Sequence, residues 1–167
     1  YYDIAFSWDI GPEIGWFGDF FRAHVPFPVE NILEPACGTG RFLVEMPKHG
    51  DRVTRYDTSE AMLGFAREKV EAAGQADSAT LVNARMESAT FPRGFDAALN
   101  SINSLGYLLE DEDIVSHFRL TGEALKPGGI YLESAFVGGI SIWVKGDVFF
   151  APSLFFKVFL RYAIRRE

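Results

Sequence analysis

The sequence predicts an α/β protein built on a doubly wound, mostly parallel sheet. Three observations carry that prediction. Short apolar strand-like runs alternate with helical segments, the pattern of consecutive βαβ units. A small-residue turn, PACGTG, joins the first of those runs to a helix. The chain of 167 residues is 48% hydrophobic and 15% aromatic, enough apolar side chain to fill one such core.

The elements follow in order. Residues 12–24 (PEIGWFGDFFRAH) read as a helix, with Pro12 tolerated in its first turn, and PFPVE ends it. Val29 to Leu33 reads as a short buried strand, followed by the turn and a helix over roughly 40–48. Residues 51–56 (DRVTRY) form a second strand that closes on Asp57. Thr58 or Ser59 caps the next helix, in which Met62, Ala66, Val70 and Ala73 recur at helical spacing and Gly74 is the stop. Thr80 to Asn83 is a third strand and Phe95 to Leu99 a fourth. A helix over 111–125 ends at KPGG, and Ile130 to Phe136 is the fifth strand.

The tail reads differently. In FFAPSLFFKVFLRYAIRRE, Lys157, Arg161 and Arg165 fall four apart on one helical stripe. The expectation is a helix buried against the sheet or a second subunit, which makes a homodimer through the tail an expected partner. The division expected is an N-terminal helical lid over 1–28, an α/β core over 29–136 and the apolar, basic tail over 137–167.

Composition narrows the function. A net charge of -7 and a pI near 5.0 argue against nucleic acid, whose phosphates need a clustered excess of Lys and Arg. Cys37 is the only cysteine, so no internal disulfide forms and a reducing, cytoplasmic setting is expected. No Cys/His spacing marks a zinc site. No apolar run reaches the length of a membrane span. The opening YYDIAFSWDI lacks the basic flank and apolar run of a signal peptide. Because the first residue is Tyr, the sequence is read as trimmed or partial.

The turn points to a ligand. In a parallel α/β sheet, ligands lie beyond the carboxyl ends of the strands. Gly38 and Gly40 let the backbone approach such a ligand, and the helix N-terminus behind them offers unpaired N–H groups. Asp57 ends the second strand 17 residues beyond Gly40, where a carboxylate meets the two hydroxyls of a ribose. A nucleoside-bearing cofactor is implied. NAD fits poorly: its G-x-G-x-x-G fingerprint needs a third glycine where Leu43 stands, and Glu34 would repel a pyrophosphate at the helix N-terminus. A carboxylate there suits an ammonium group, as in S-adenosylmethionine (SAM).

ILEPACGTGRF resembles the first motif of class I, Rossmann-like SAM-dependent methyltransferases of small-molecule type. YDTSEAML, FDAALNSINSLGYL and EALKPGGIYLES are similar to later motifs of that family, in the same order. The resemblance covers about residues 1–136 and implies methyl transfer to a small molecule. It places Glu34 at the methionine amino group and Ala36, Cys37, Gly38 and Gly40 around the methionine portion. Asp57 falls at the ribose, Thr58, Met62 and Met86 beside the adenine, and Asn100 near the methionine portion. Tyr2 would close over the site.

Three departures from the family stand out. Ala36 replaces its usual first glycine. The acid that meets the adenine amine aligns with Arg85, which offers only donors, so the Met86 backbone or Glu87 is expected to serve instead. The antiparallel strands that normally follow strand five look missing or altered. The alternatives weighed are a non-catalytic or incomplete SAM-binding domain and, less favoured, an NAD-linked oxidoreductase. Candidate catalytic groups are Glu133, Tyr2 and Asn103. Cys37 reads as a packing residue rather than a nucleophile, and a solvated or capping role is expected for His24, His49 and His117. No metal is expected.

Overall fold

The computed structural model describes residues 9–42, 46, 52–100, 104–134, 148–151 and 157–160. Helix α1 spans Gly11–His24 and strand β1 Asn31–Pro35. Strand β2 (Arg52–Asp57) leads into helix α2 (Glu60–Ala72), and β3 is Ala79–Asn83. Strand β4 (Phe95–Asn100) is followed by a short 3-10 turn, helix α3 (Asp111–Ala124) and β5 (Leu125–Ser134). Strands β6 (Val148–Ala151) and β7 (Lys157–Leu160) come last.

The strand order is β3-β2-β1-β4-β5-β7-β6. The first five strands are mutually parallel, and β7 runs antiparallel to both β5 and β6. From β1 the chain winds outward to β3, then returns to β4 on the other side of β1. Connections therefore diverge between β1 and β4, and a crevice opens beyond their carboxyl ends.

Side-chain alternation loads both faces of the sheet. Ile32, Val53, Ala97 and Leu132 meet Phe17 and Phe21, the two buried residues of α1, which lie four apart on one stripe. Leu33, Tyr56, Ala98 and Tyr131 face the other way, against Phe118 of α3. Ala66 and Val70 of α2 pack on Ala79 and Leu81 of β3. Near the amino ends of the strands, buried Asp96 fastens three of them together. Its Oδ2 accepts the N–H groups of Glu30 (2.9 Å) and Asn31 (2.8 Å), and its Oδ1 accepts from Lys126 Nζ (2.6 Å). Burial alone raises a carboxyl's pKa, but Lys126 and the two amides bring Asp96 below its usual value.

Boundaries shift in interpretable ways. The first strand begins two residues later than Val29, because Glu30 and Asn31 first give their N–H groups to Asp96. KPGG does not separate helix from strand; β5 starts at Leu125 and carries KPGG within it, across a register irregularity against β4. Glycine is required there, since a Cβ on Gly129 would sit 2.9 Å from the Asp96 carbonyl oxygen.

The tail expectation is overturned. The C-terminal antiparallel strands are present as β7 and β6, so residues 149–151 and 157–160 are not part of one helix. VFFA and KVFL are β-branched and aromatic, and pairing β7 along β5 covers an otherwise open edge. Of the expected cationic stripe, Lys157 lies in β7, while Arg161 and Arg165 lie outside the described residues. Most of the helix expected over 40–48 lies outside the described residues. No helix among the described residues is long and apolar enough to cross a membrane.

Candidate functional site

The turn after β1 is left-handed at three positions: φ is +49° at Ala36, +56° at Gly38 and +70° at Gly40. Backbone bonds stitch it to β2. Cys37 N–H donates to the Tyr56 carbonyl (3.1 Å) and Gly40 N–H to the Cys37 carbonyl (2.9 Å). Asp57 bridges the turn and the next helix: its Oδ2 accepts from Gly38 N–H (2.8 Å), its Oδ1 from Ser59 N–H (2.9 Å). Ser59 in turn caps α2 by accepting from Met62 N–H (3.3 Å). A half-buried carboxylate thus stands at the carboxyl end of β2, next to the turn after β1, with its oxygens aligned by backbone donors.

Ala36 carries strain that glycine would not. A left-handed alanine costs about 1–2 kcal/mol, and glycine returns part of that gain through unfolded-chain entropy. Ala36→Gly is therefore expected to stabilise the protein by about 0.5–1 kcal/mol in urea unfolding. An unchanged or lowered midpoint would show that the left-handed backbone at 36 is not a source of strain.

Glu34 is placed otherwise than a free ligand group. It is 3% exposed, and its Oε2 accepts from Arg55 Nε at 2.5 Å across the β1–β2 register. Burial raises the Glu34 pKa and Arg55 opposes that rise. A guanidinium keeps its proton in proteins, so the pair is ionic and Glu34's charge is already compensated. Its pull on a ligand ammonium is weakened accordingly. Arg55, fully buried, was not singled out from the sequence, although an arginine inside an apolar strand opposite an acid is a legible signal.

Cys37 is buried, and burial together with Glu34 and Asp57 drives its thiol pKa far up, the opposite of an activated nucleophile. Met86 is buried, Met62 half-buried and Thr58 exposed. Arg85 and Glu87 form an ion pair with each other. Asn100 and Glu133 are adjacent across β4 and β5 and 1% exposed each. His117 is fully buried on α3, which corrects the solvated or capping role expected for it; His24 is exposed and packs its ring on Phe20 (4.3 Å). Tyr2, Asn103 and His49 lie outside the described residues. Among the described residues no His/Cys/Asp/Glu group could hold a metal.

A parallel sheet with a left-handed small-residue turn after its first strand, and a carboxylate closing its second, defines a nucleoside-binding α/β domain. A family model described as "Methyltransferase domain" matches residues 32–129. That is more than half of the chain, and the protein belongs to this family of class I methyltransferases. A curated relative from Streptomyces venezuelae, a dTDP-3-amino-3,4,6-trideoxy-alpha-D-glucopyranose N,N-dimethyltransferase, is 29% identical over 146 residues. The match covers 84% of this chain and 57% of the relative. Two other curated relatives are covered over 40% and 41% of their length, so the chain spans about half of these proteins. The crystal structure of Streptomyces venezuelae DesVI superposes with a TM-score of 0.71 at 29% identity, covering 88% of this chain and 62% of that one. SAM-bound CalS10, an amino pentose methyltransferase from Micromonospora echinaspora, gives 0.72 at 22% identity with the same coverages, a likeness of fold.

Proposed function

We propose that the protein is a SAM-dependent methyltransferase whose acceptor is a small molecule, with a sugar-borne amine as the acceptor class to test first. The observation that carries the cofactor reading is Asp57, held at the carboxyl end of β2 by the Gly38 and Ser59 amides, beside the turn that follows β1. Its geometry fits a neutral ribose, whose hydroxyls donate where a phosphate would be repelled. The left-handed turn at Gly38 and Gly40 leaves no Cβ between backbone and ligand. SAM, when bound, supplies a methyl group already activated on a sulfonium.

The chain's own task is then to bind, orient and exclude water. The turn Ala36–Gly40 lines the methionine portion, Asp57 fixes the ribose, and Thr58, Met62 and Met86 flank the adenine. Asn100 stands near the methionine portion. Tyr2 and Asn103 serve the acceptor side, and residues 1–28 act as the lid. The amine reading draws on the Streptomyces venezuelae relative. The lone Cys37 supports a cytoplasmic setting. The NAD alternative gives way to the family match.

Calorimetric titration with SAM, S-adenosylhomocysteine and NAD tests the cofactor. Saturable binding of both sulfur nucleosides, with NAD silent, is expected; NAD binding alone would overturn the reading. Methyl release to amino sugars against hydroxyl-only sugars then tests the acceptor class, and turnover only with the latter would refute the amine.

A further inference from the structure

Two carboxyls, Glu34 and Glu133, are buried toward the carboxyl ends of the strands, and their surroundings are opposite. Glu34 faces the guanidinium of Arg55. Glu133, 1% exposed, faces neutral groups: Oε2 lies 2.5 Å from the Tyr131 hydroxyl, and Oε1 has no hydrogen-bond partner among the described residues. The hydroxyl of Tyr131 also lies 2.9 Å from His117 Nε2, and His117 Nδ1 lies 3.2 Å from the Met86 carbonyl oxygen. Tyr131 and His117 are 2% and 0% exposed. Among the described residues, Asn100 on β4, Tyr56 on β2 with Thr121 on α3, and Glu87 beside His117 make up the rest of the surroundings, and none of these is a cation.

Proton counting along this chain is restrictive. The Met86 carbonyl only accepts, so His117 Nδ1 carries a proton and donates. In a neutral ring Nε2 is then bare and only accepts, so the Tyr131 proton belongs there. That leaves the Tyr131 oxygen to accept from Glu133, which requires Glu133 to be a neutral acid. If Glu133 were a carboxylate beside a neutral imidazole, one tyrosine proton would face two acceptors, and one of the two short contacts would lack a hydrogen. Moving the spare proton to His117 is the other complete arrangement. It would create a buried imidazolium, which the position disfavours: burial takes the His117 pKa down to about 4. For Glu133 burial acts the opposite way and raises the pKa well above the ordinary carboxyl value. An orphaned acid carbonyl oxygen is also less costly than an orphaned carboxylate oxygen.

The far end of the chain gives it a purpose. His117 grips the carbonyl of Met86, and its neighbour Ser116 donates to the Glu87 carbonyl at 2.8 Å. The 85–89 loop, the segment assigned above to the adenine, is thus held to α3 by two adjacent side chains. We propose that Glu133 is a protonated positioning residue which, through Tyr131 and His117, holds the Met86 loop in its adenine-binding position. The proposal rests on the SAM reading for its functional half; the protonation of Glu133 does not depend on it.

The consequence is a specific dependence on pH. A carboxyl whose folded-state pKa is raised contributes stability below its ordinary value and loses it as pH rises through the folded value. Ionised Glu133 can only accept, so the Tyr131 hydroxyl turns to donate to it, His117 Nε2 loses its donor, and the hold on Met86 loosens. Two measurements test this. First, the infrared band of a neutral carboxylic acid is expected at neutral pH in the wild-type protein and absent from Glu133→Gln; no band lost on that substitution overturns the proposal. Second, SAM affinity is followed by calorimetry from about pH 6 to about pH 9, where wild-type binding is expected to weaken about tenfold.

Glutamine donates as the acid does, so Glu133→Gln should bind within about twofold of wild type at the low-pH end and lose the pH slope. Tyr131→Phe and Glu133→Leu should bind about tenfold more weakly throughout, each breaking a buried hydrogen bond. Equal weakening by Glu133→Gln and Glu133→Leu, or a pH slope that survives in Glu133→Gln, would overturn the positioning role. Absence of SAM binding by the wild-type protein at every pH would remove the SAM reading and the positioning role together, while the infrared result on protonation stands apart.

Discussion

Replacing Glu34 with alanine is expected to destabilise the protein by about 3–5 kcal/mol, the range for stranding one member of a buried ion pair. Arg55 is 0% exposed and gives Nε to Glu34 at 2.5 Å. Among the described residues its other nitrogens find little: Nη2 reaches the Met46 sulfur at 3.9 Å, and Nη1 has no partner. Removing the carboxylate therefore leaves a full charge in an apolar layer, with no route to neutrality because a guanidinium keeps its proton. The pair itself is expected to add little net stability, since two desolvated charges recover only about what they lose. The double change Glu34→Met/Arg55→Leu should accordingly return most of the loss. Urea unfolding of wild type, single and double variants measures both. A single variant within about 1 kcal/mol of wild type would mean that Arg55 has another counter-charge.

Asp57→Ala is expected to weaken SAM binding by about 1.5–3 kcal/mol, roughly ten- to a hundredfold, the range for hydrogen bonds to a charged group. Two effects add. The ribose loses its acceptor, and Gly38 N–H, now held at 2.8 Å by Asp57 Oδ2, is set free, so the turn loses its preorganisation. Asp57→Asn separates them: its carbonyl oxygen keeps one backbone bond while the charge is gone, so a smaller loss is expected. Calorimetry with SAM reads both, and an affinity unchanged in Asp57→Ala would refute the ribose assignment.

Much of this arrangement was legible because it is local. The PACGTG turn declares its left-handed backbone through glycine content, and an acid closing the strand-like DRVTRY run marks the crevice. Each signal is contained within a few residues of chain, and backbone geometry enforces it. What the sequence concealed is non-local. Glu34 reads as a group awaiting an ammonium until the parallel register sets Arg55 beside it. His117 reads as a surface helix histidine because Asp111, Glu112 and Asp113 precede it on a charged first turn; only the packing of α3 on β5 buries it against Tyr131. The tail misled for a different reason. A four-residue spacing keeps side chains on one face of a helix and of a strand alike, and over Lys157–Leu160 the edge left by β5 decides for a strand.

The most direct test of the central claim is a crystal structure of the protein with S-adenosylhomocysteine. The ribose hydroxyls are expected within hydrogen-bond distance of the Asp57 carboxylate, the amino-acid end against the Ala36–Gly40 turn and the adenine beside Met86. A nucleoside bound elsewhere on the molecule, with Asp57 still engaged only by its own backbone, would contradict it.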